Sequence, residues 1–334
     1  MSKPSSGAVV WTALAMNLVI AVTKGIAAAI TGSAAMLSEC VHSFVDTSNE
    51  VLLLYGTYRA KRPPDDNHPF GYGRELYFWS FVVALIIFAL GAGVAIVKGS
   101  LQVMAPEPVE SPLVSYVVLA AAFLFDGISW YLSLRRFVAS KGTLGFYEAF
   151  RRSKDPATFI VLFEDSAALV GIVIAAAGIF VAAQFGWPQA DGIASILIGV
   201  VLGVVSLLLA RESKSLLIGE PASRTLVAST RRIAEAVTPG ARVNGIVTVQ
   251  LSPNQIIVAL SLEFADDETA TDIETHVVDI EQRLRESHPE IIAVFIKPQT
   301  PRAYARAVSR RTRHEEPAKA PGGDDPGIAS TGHR

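Results

Sequence analysis

Between Ser38 and Glu50, ionisable side chains recur where an apolar helix should carry none. At about 100° per residue, Glu39, His42, Asp46 and Glu50 fall on one narrow stripe, with Asn49 at its edge. His42 and Asp46 are four residues apart, a spacing that lets an imidazole and a carboxylate share one metal ion. The surrounding run, Ala34–Tyr58, is long enough to cross a bilayer. Each ionisable side chain at the bilayer centre costs about 2.5–3.5 kcal/mol on insertion scales, so a helix with several must face protein or water. The stripe is therefore either a ligand face inside a membrane or a polar seam in a helix bundle.

Other acids lie in apolar surroundings. Asp126 sits in the middle of Leu119–Trp130, a candidate for supporting the ligands or relaying protons, or for an ion pair within the bundle. Glu164 and Asp165 are adjacent and differ by about 100° around a helix, so only one is expected to point straight at His42 and Asp46. Asn17 and Lys24 share a face; Lys24 either balances the acidic stripe or snorkels to the interface. In the turn-rich loop from Pro63 to Glu75, Asp65, Asp66 and His68 make a second candidate metal site, while Pro and Gly there could equally serve only as a rigid connector.

These residues need helices to position them. The chain is 51% hydrophobic and only 18% charged, values that point to a membrane α-helical protein. Six spans are expected, at Ala8–Ile30, Ala34–Tyr58, Tyr77–Val97, Leu113–Phe137, Thr158–Phe185 and Ile193–Ala210, within a transmembrane domain over 8–212. Residues 31–33 should form a tight hairpin. Gly199 and Gly203 have a spacing that permits close helix packing. The residues before the first span, Met1 to Gly7, are too few for a signal or transit peptide. Cys40 is the only cysteine, which excludes disulfides within the chain and cysteine-type zinc sites.

Basic residues set the orientation. Arg59, Lys61, Arg62 and Arg74 follow the second span, Arg135, Arg136, Lys141, Arg151, Arg152 and Lys154 follow the fourth, and Arg211 and Lys214 follow the sixth. The opposite loops hold little beyond Lys98, Glu107 and Glu110, so both termini should be cytoplasmic. After Gly219 the pattern turns soluble: helix Ala222–Val237, strands Val243–Leu251 and Ile256–Phe264, helix Ala270–Ser287 and strand Ile291–Ile296. This α-β-β-α-β order predicts a small two-layer α+β domain over 220–298. From 299 to 334 the composition predicts a disordered tail, in which His314 and His333 are solvated.

His42-x-x-x-Asp46 in the second of six spans, Asp65-Asp66-Asn67-His68-Pro69-Phe70-Gly71-Tyr72-Gly73-Arg74 after it, an acidic site in the fifth span and a small α+β domain together resemble the cation diffusion facilitator family. The resemblance covers roughly Val9 to Pro298. It implies a dimeric exporter that moves zinc or a related divalent cation out of the cytoplasm in exchange for protons, with two ligands from the second span and two from the fifth. His42 and Asp46 match the first pair and Asp165 the last ligand. Val161 stands where the zinc pattern places His or Asp, so Glu164 or Asp126 is the candidate substitute. The segments Lys154 to Thr158 and Leu162 to Ala168 look like the divergent branch that contains the mitochondrial zinc transporter. Tyr72, Ser261 and Ile296-Lys297-Pro298 stand where bacterial members carry ligands, leaving only His276, which alone does not hold a zinc; the resemblance then implies a dimer contact there.

The expectation is a non-enzymatic transporter of zinc, or else of iron, manganese or cobalt, in a cell (inner) membrane. It should be a homodimer with protons as counter-ions, no cofactor and, at a net charge of −2, no nucleic-acid partner. The rival of another class is a non-transporting subunit that pairs with a competent transporter.

Overall fold

The computed structural model describes residues 6–109, 111–141, 145, 154–238 and 240–313. Two helices, α1 (Ser6–Thr31) and α2 (Ala34–Ala60), form the expected hairpin. Gly32 turns it with φ +64°, a left-handed conformation that glycine adopts without a steric cost. The Ser33 hydroxyl then caps α2 by accepting from the Met36 amide at 3.1 Å. Four helices follow: α3 (Glu75–Met104), α4 (Pro112–Lys141), α5 (Pro156–Phe185) and α6 (Gln189–Ile218). All four are long and apolar enough to cross a membrane, which makes this a multi-pass membrane protein. They run several residues past the expected spans because helical hydrogen bonding continues beyond the hydrocarbon, as in α6, which reaches Ile218 rather than Ala210.

Within α3, Ile87–Ala92 forms a π-helical turn. It packs on α6, where a Cβ added at Gly199 would stand 2.6 Å from Ile96 and 3.0 Å from the Ala92 carbonyl. Gly203 is in ordinary contact, 3.7 Å from Ala92 by the same measure, so only one glycine of the pair is needed for close approach. Buried Met36, Tyr77, Ile160, Ile179, Ile198 and Leu202 knit α2, α3, α5 and α6 into one core.

The soluble part runs α7 (Arg224–Val237), β1 (Arg242–Ser252), β2 (Gln255–Glu263), α8 (Ala270–Ser287) and β3 (Ile291–Pro298). The short turn between β1 and β2 makes them antiparallel, while the crossover through α8 brings β3 in parallel to β2. Leu226 and Ala234 of α7 and Ile280 and Leu284 of α8 pack on Val258 and Leu262 of the sheet. Thr269 and Asp272 form a capping box at the start of α8. The tail departs from expectation: Pro301–Arg313 forms a ninth helix among the described residues, α9, with Tyr304 lying over Gly245 of β1. Its basic residues are spaced along a helix whose apolar side has the sheet to pack against, a partner that composition alone does not reveal. Glu110, Arg151, Arg152, His314 and His333 lie outside the described residues.

The two parts touch. Lys154 pairs with Glu220, the Gln250 amide donates to the Glu220 carbonyl at 2.9 Å, and the Phe70 and Phe295 rings meet edge to face at 6.3 Å.

Candidate functional site

The α2 stripe faces the bundle interior. Glu39, His42 and Asn49 are buried, and Asp46 opens onto a cavity of about 30 Å³ between α1, α2, α4 and α5. That volume has room for one bare ion or one to two waters. Asp46, Glu50, Asp126, Glu164 and Asp165 all line it, a concentration of carboxylates that demands compensation in so small a space. His42 lies behind Asp46, with Nδ1 3.3 Å from Asp46 Oδ1.

Both Glu164 and Asp165 line this cavity, although adjacent helical residues differ by about 100°. Val161, Glu164, Asp165 and Ala168 of α5 line it at i, i+3, i+4 and i+7, and a face of that width accommodates adjacent residues at its two edges. Glu164 Oε1 accepts from Asn49 Nδ2 at 2.6 Å. Asp165 Oδ2 accepts from Ser129 Oγ at 3.0 Å and Ser133 Oγ at 3.4 Å. At the mouth, Asn17 donates to Glu50 Oε1 at 2.8 Å. The serines were overlooked in the sequence, although Asp126, Ser129 and Ser133 follow the i, i+3, i+7 spacing of a helix face.

Lys24 resolves as a counter-ion, because it is fully buried and does not reach an interface. Its ammonium donates to Glu39 Oε2 at 3.1 Å and Ser43 Oγ at 2.9 Å, and stands 3.7 Å from Asp126 Oδ2. Farther along α2, Asp191 of α6 accepts from the Ser33 hydroxyl and the Ala34 amide, each at 2.5 Å. This link was also missed: an acid in the first turn of a helix reads as a partner for its own N-terminus.

Several polar atoms of the α2 stripe remain unmatched by the described residues, Glu39 Oε1 and Asn49 Oδ1 among them. Both His42 ring nitrogens and Asp46 Oδ1 are buried without a hydrogen-bond partner among the described residues. Buried polar atoms are nearly always bonded, so such a group is a place where a ligand fits. Among the described residues, however, no three His, Cys, Asp or Glu side chains gather closely enough to hold an ion. The donors surround a common space without forming a closed coordination shell.

The loop candidate differs. Asp65 Oδ2 accepts from Tyr72 at 2.6 Å, and Oδ1 accepts from the His68 and Asn67 amides at 2.7 and 3.1 Å. These bonds hold the Asp65 carboxyl below its ordinary value, the Tyr72 hydroxyl contributing most. His68 Nδ1 approaches Asp65 Oδ1 to 3.5 Å, but with Asp66 they form no three-donor group, and the carboxylate ties a turn. In the soluble domain, Ser261 donates to the Gln299 side chain at 3.1 Å, and His276 faces Glu268 at 3.9 Å.

A model of the cation efflux transmembrane domain matches residues 10–218. The proton-coupled zinc antiporter SLC30A9 of Mus musculus is 31% identical over 297 residues, 87% of this chain and 52% of the relative. Metal tolerance protein C4 of Arabidopsis thaliana is 35% identical over 192 residues, 57% of this chain and 42% of its own. The magnetosome protein MamB of a Magnetospira strain is 26% identical over 199 residues, 60% of this chain and 63% of its own. The chain spans about half or less of the length of the SLC30A9 and C4 relatives. With the family domain matched from α1 to the end of α6 and similarity to SLC30A9 extending over most of its length, the chain belongs to the cation diffusion facilitator (cation efflux) family and resembles the SLC30A9 branch.

Proposed function

We propose that the chain exports a divalent cation, zinc first, from the cytoplasm in exchange for protons. In this reading α1–α6 all cross a cell (inner) membrane, both termini are cytoplasmic, and the working unit is a homodimer. His42, Asp46, Glu164 and Asp165 hold the cargo, with Glu164 taking the place left by Val161. Glu39, Asn49, Glu50 and Asp126 set the charge and hydrogen bonding around them.

One observation carries the reading: a carboxylate-walled cavity adjoins an imidazole whose nitrogens are buried and unbonded, inside a membrane bundle. A dication answers both needs at once, by compensating the carboxylates and accepting a nitrogen donor. Supporting it, the mouse relative's name joins zinc with proton coupling. Protons follow from the same donors. Binding requires ionised carboxylates and neutral imidazole, so metal and proton compete, and release of one favours uptake of the other.

An oxygen-rich donor set also accepts iron, manganese or cobalt, and these are the alternative cargoes. Val161 favours a second reading, a non-transporting partner of another transporter, because the zinc pattern has a ligand there. Purified full-length chain in proteoliposomes separates the readings. Zinc flux that rises with an imposed proton gradient is expected; absence of flux for every divalent ion tried would leave only the partner reading.

A further inference from the structure

Lys24 joins three helices at one point. It lies on α1, hydrogen-bonds Glu39 and Ser43 of α2, and approaches Asp126 of α4. Ser43 and Asp126 both line the cavity that holds Asp46, Glu164 and Asp165. The ammonium therefore stands directly behind two residues of the wall of the space assigned to the cargo.

This position has two physical effects. A buried ammonium 3.7 Å from Asp126 Oδ2 occupies that carboxylate electrostatically. It also places a fixed positive charge beside a cavity meant for a dication. Glu39 is too small a reason for the arrangement by itself, since a pair confined to Glu39 would not need to extend to Asp126 and Ser43. The lysine has partners on both sides and no exposure through which to leave.

We propose that Lys24 is a positioning residue that withholds Asp126 from the cargo ion, and so keeps the transport site from binding its cation too tightly to release. The cavity walls offer more carboxylates than a dication needs. With Asp126 reserved, the ion is left to Asp46, Glu164, Asp165 and the His42 imidazole. Loss of the lysine charge frees Asp126 to face the ion, and the site gains an anionic donor while losing a repelling cation. This inference rests on the assignment of the cargo site above, and its test separates the two.

The test is zinc binding to the full-length protein in detergent by calorimetry, with proteoliposome flux on the same preparations. A charge within a few ångströms shifts such equilibria by about one to three powers of ten, so Lys24→Met should bind zinc at least about tenfold more tightly while turning over more slowly. Lys24→Arg keeps the charge and should stay near wild type. Lys24→Met/Asp126→Asn removes the freed carboxylate and should return the affinity towards wild type. A purely structural lysine would weaken binding and flux together. Should Lys24→Met fail to fold with Glu39 left alone, Lys24→Met/Glu39→Gln removes the stranded Glu39 charge, keeps Asp126 free and carries the same expectation. Unchanged or weaker affinity in the folded lysine variant, or a double variant with Asp126→Asn as tight as Lys24→Met, overturns the inference. Asp46→Ala reports on the site itself: if it loses zinc while Lys24→Met binds as wild type does, only the lysine inference falls. If Asp46→Ala binds as wild type does, the site assignment falls and takes the inference with it.

Discussion

The α2–α3 loop and α2 itself each combine aspartate with histidine at short spacing, and they have opposite hydrogen-bond economies. In the α2–α3 loop, both oxygens of Asp65 are bonded by Tyr72 and backbone amides, in contact with solvent. In α2, the His42 nitrogens and Asp46 Oδ1 are buried without a hydrogen-bond partner among the described residues. The same residue types therefore do different work. A satisfied carboxylate at the surface closes a turn, while an unsatisfied buried pair costs stability unless something binds there. Residue type alone does not separate the two; the environment does.

The sharpest way to break this comparison is to remove one carboxylate from each cluster. Asp46→Ala or Asp165→Ala is expected to abolish metal flux in proteoliposomes with the protein still inserted, whereas Asp65→Ala should leave flux metal-dependent. Equal losses at the two places would show that the contrast carries no functional meaning.

A smaller effect is expected from adding a donor. Val161 lines the cavity one turn from Asp165. Val161→His should shift competition between zinc and manganese towards zinc by on the order of tenfold, since imidazole suits zinc better. Competition flux with both ions measures it, and an unchanged ratio would mean that position 161 does not face the cargo.

Similar in size is the loss of Asn49, which holds Glu164 at 2.6 Å. A hydrogen bond to a charged group contributes about 1.5–3 kcal/mol, so Asn49→Ala should weaken zinc binding by roughly tenfold. Calorimetry at fixed pH reads this directly. Wild-type affinity would place Glu164 outside the binding set.

The smallest effect belongs to the loop. The Asp65 carboxyl is held below its ordinary value in the folded chain, so its contribution is present above the unfolded value and fades as pH falls through the folded one. Tyr72→Phe removes the largest cause and should raise that carboxyl towards its ordinary value in an NMR titration. A titration identical to wild type would contradict the Tyr72–Asp65 bond.

Much of this was legible from the pattern of polar residues. The α2 stripe stands out because charge inside an apolar run has few physical excuses, and the β1–β2 turn and the helix at Ala270–Ser287 follow from period and capping. Lys24 could be read two ways, because the sequence does not say whether a lysine inside a span reaches an interface. Whether Glu164 and Asp165 both face the cavity does not follow from their adjacency, since it depends on how wide a face α5 offers. Nor was α9 legible, because the sheet surface that receives it is assembled from strands far earlier in the chain.

The bond between Asp191 and the start of α2 bears on how the molecule is made. Ser33 and its acceptor are separated by 158 residues. When the α1–α2 hairpin leaves the ribosome, the carboxylate that completes its tip has not been synthesised. Until α6 is made, the Ser33 hydroxyl and Ala34 amide must therefore be served by other partners such as water, and exchange them for Asp191 only after α6 arrives. The final seating of α2 thus waits on α6, although α2 precedes it in the chain by more than a hundred residues.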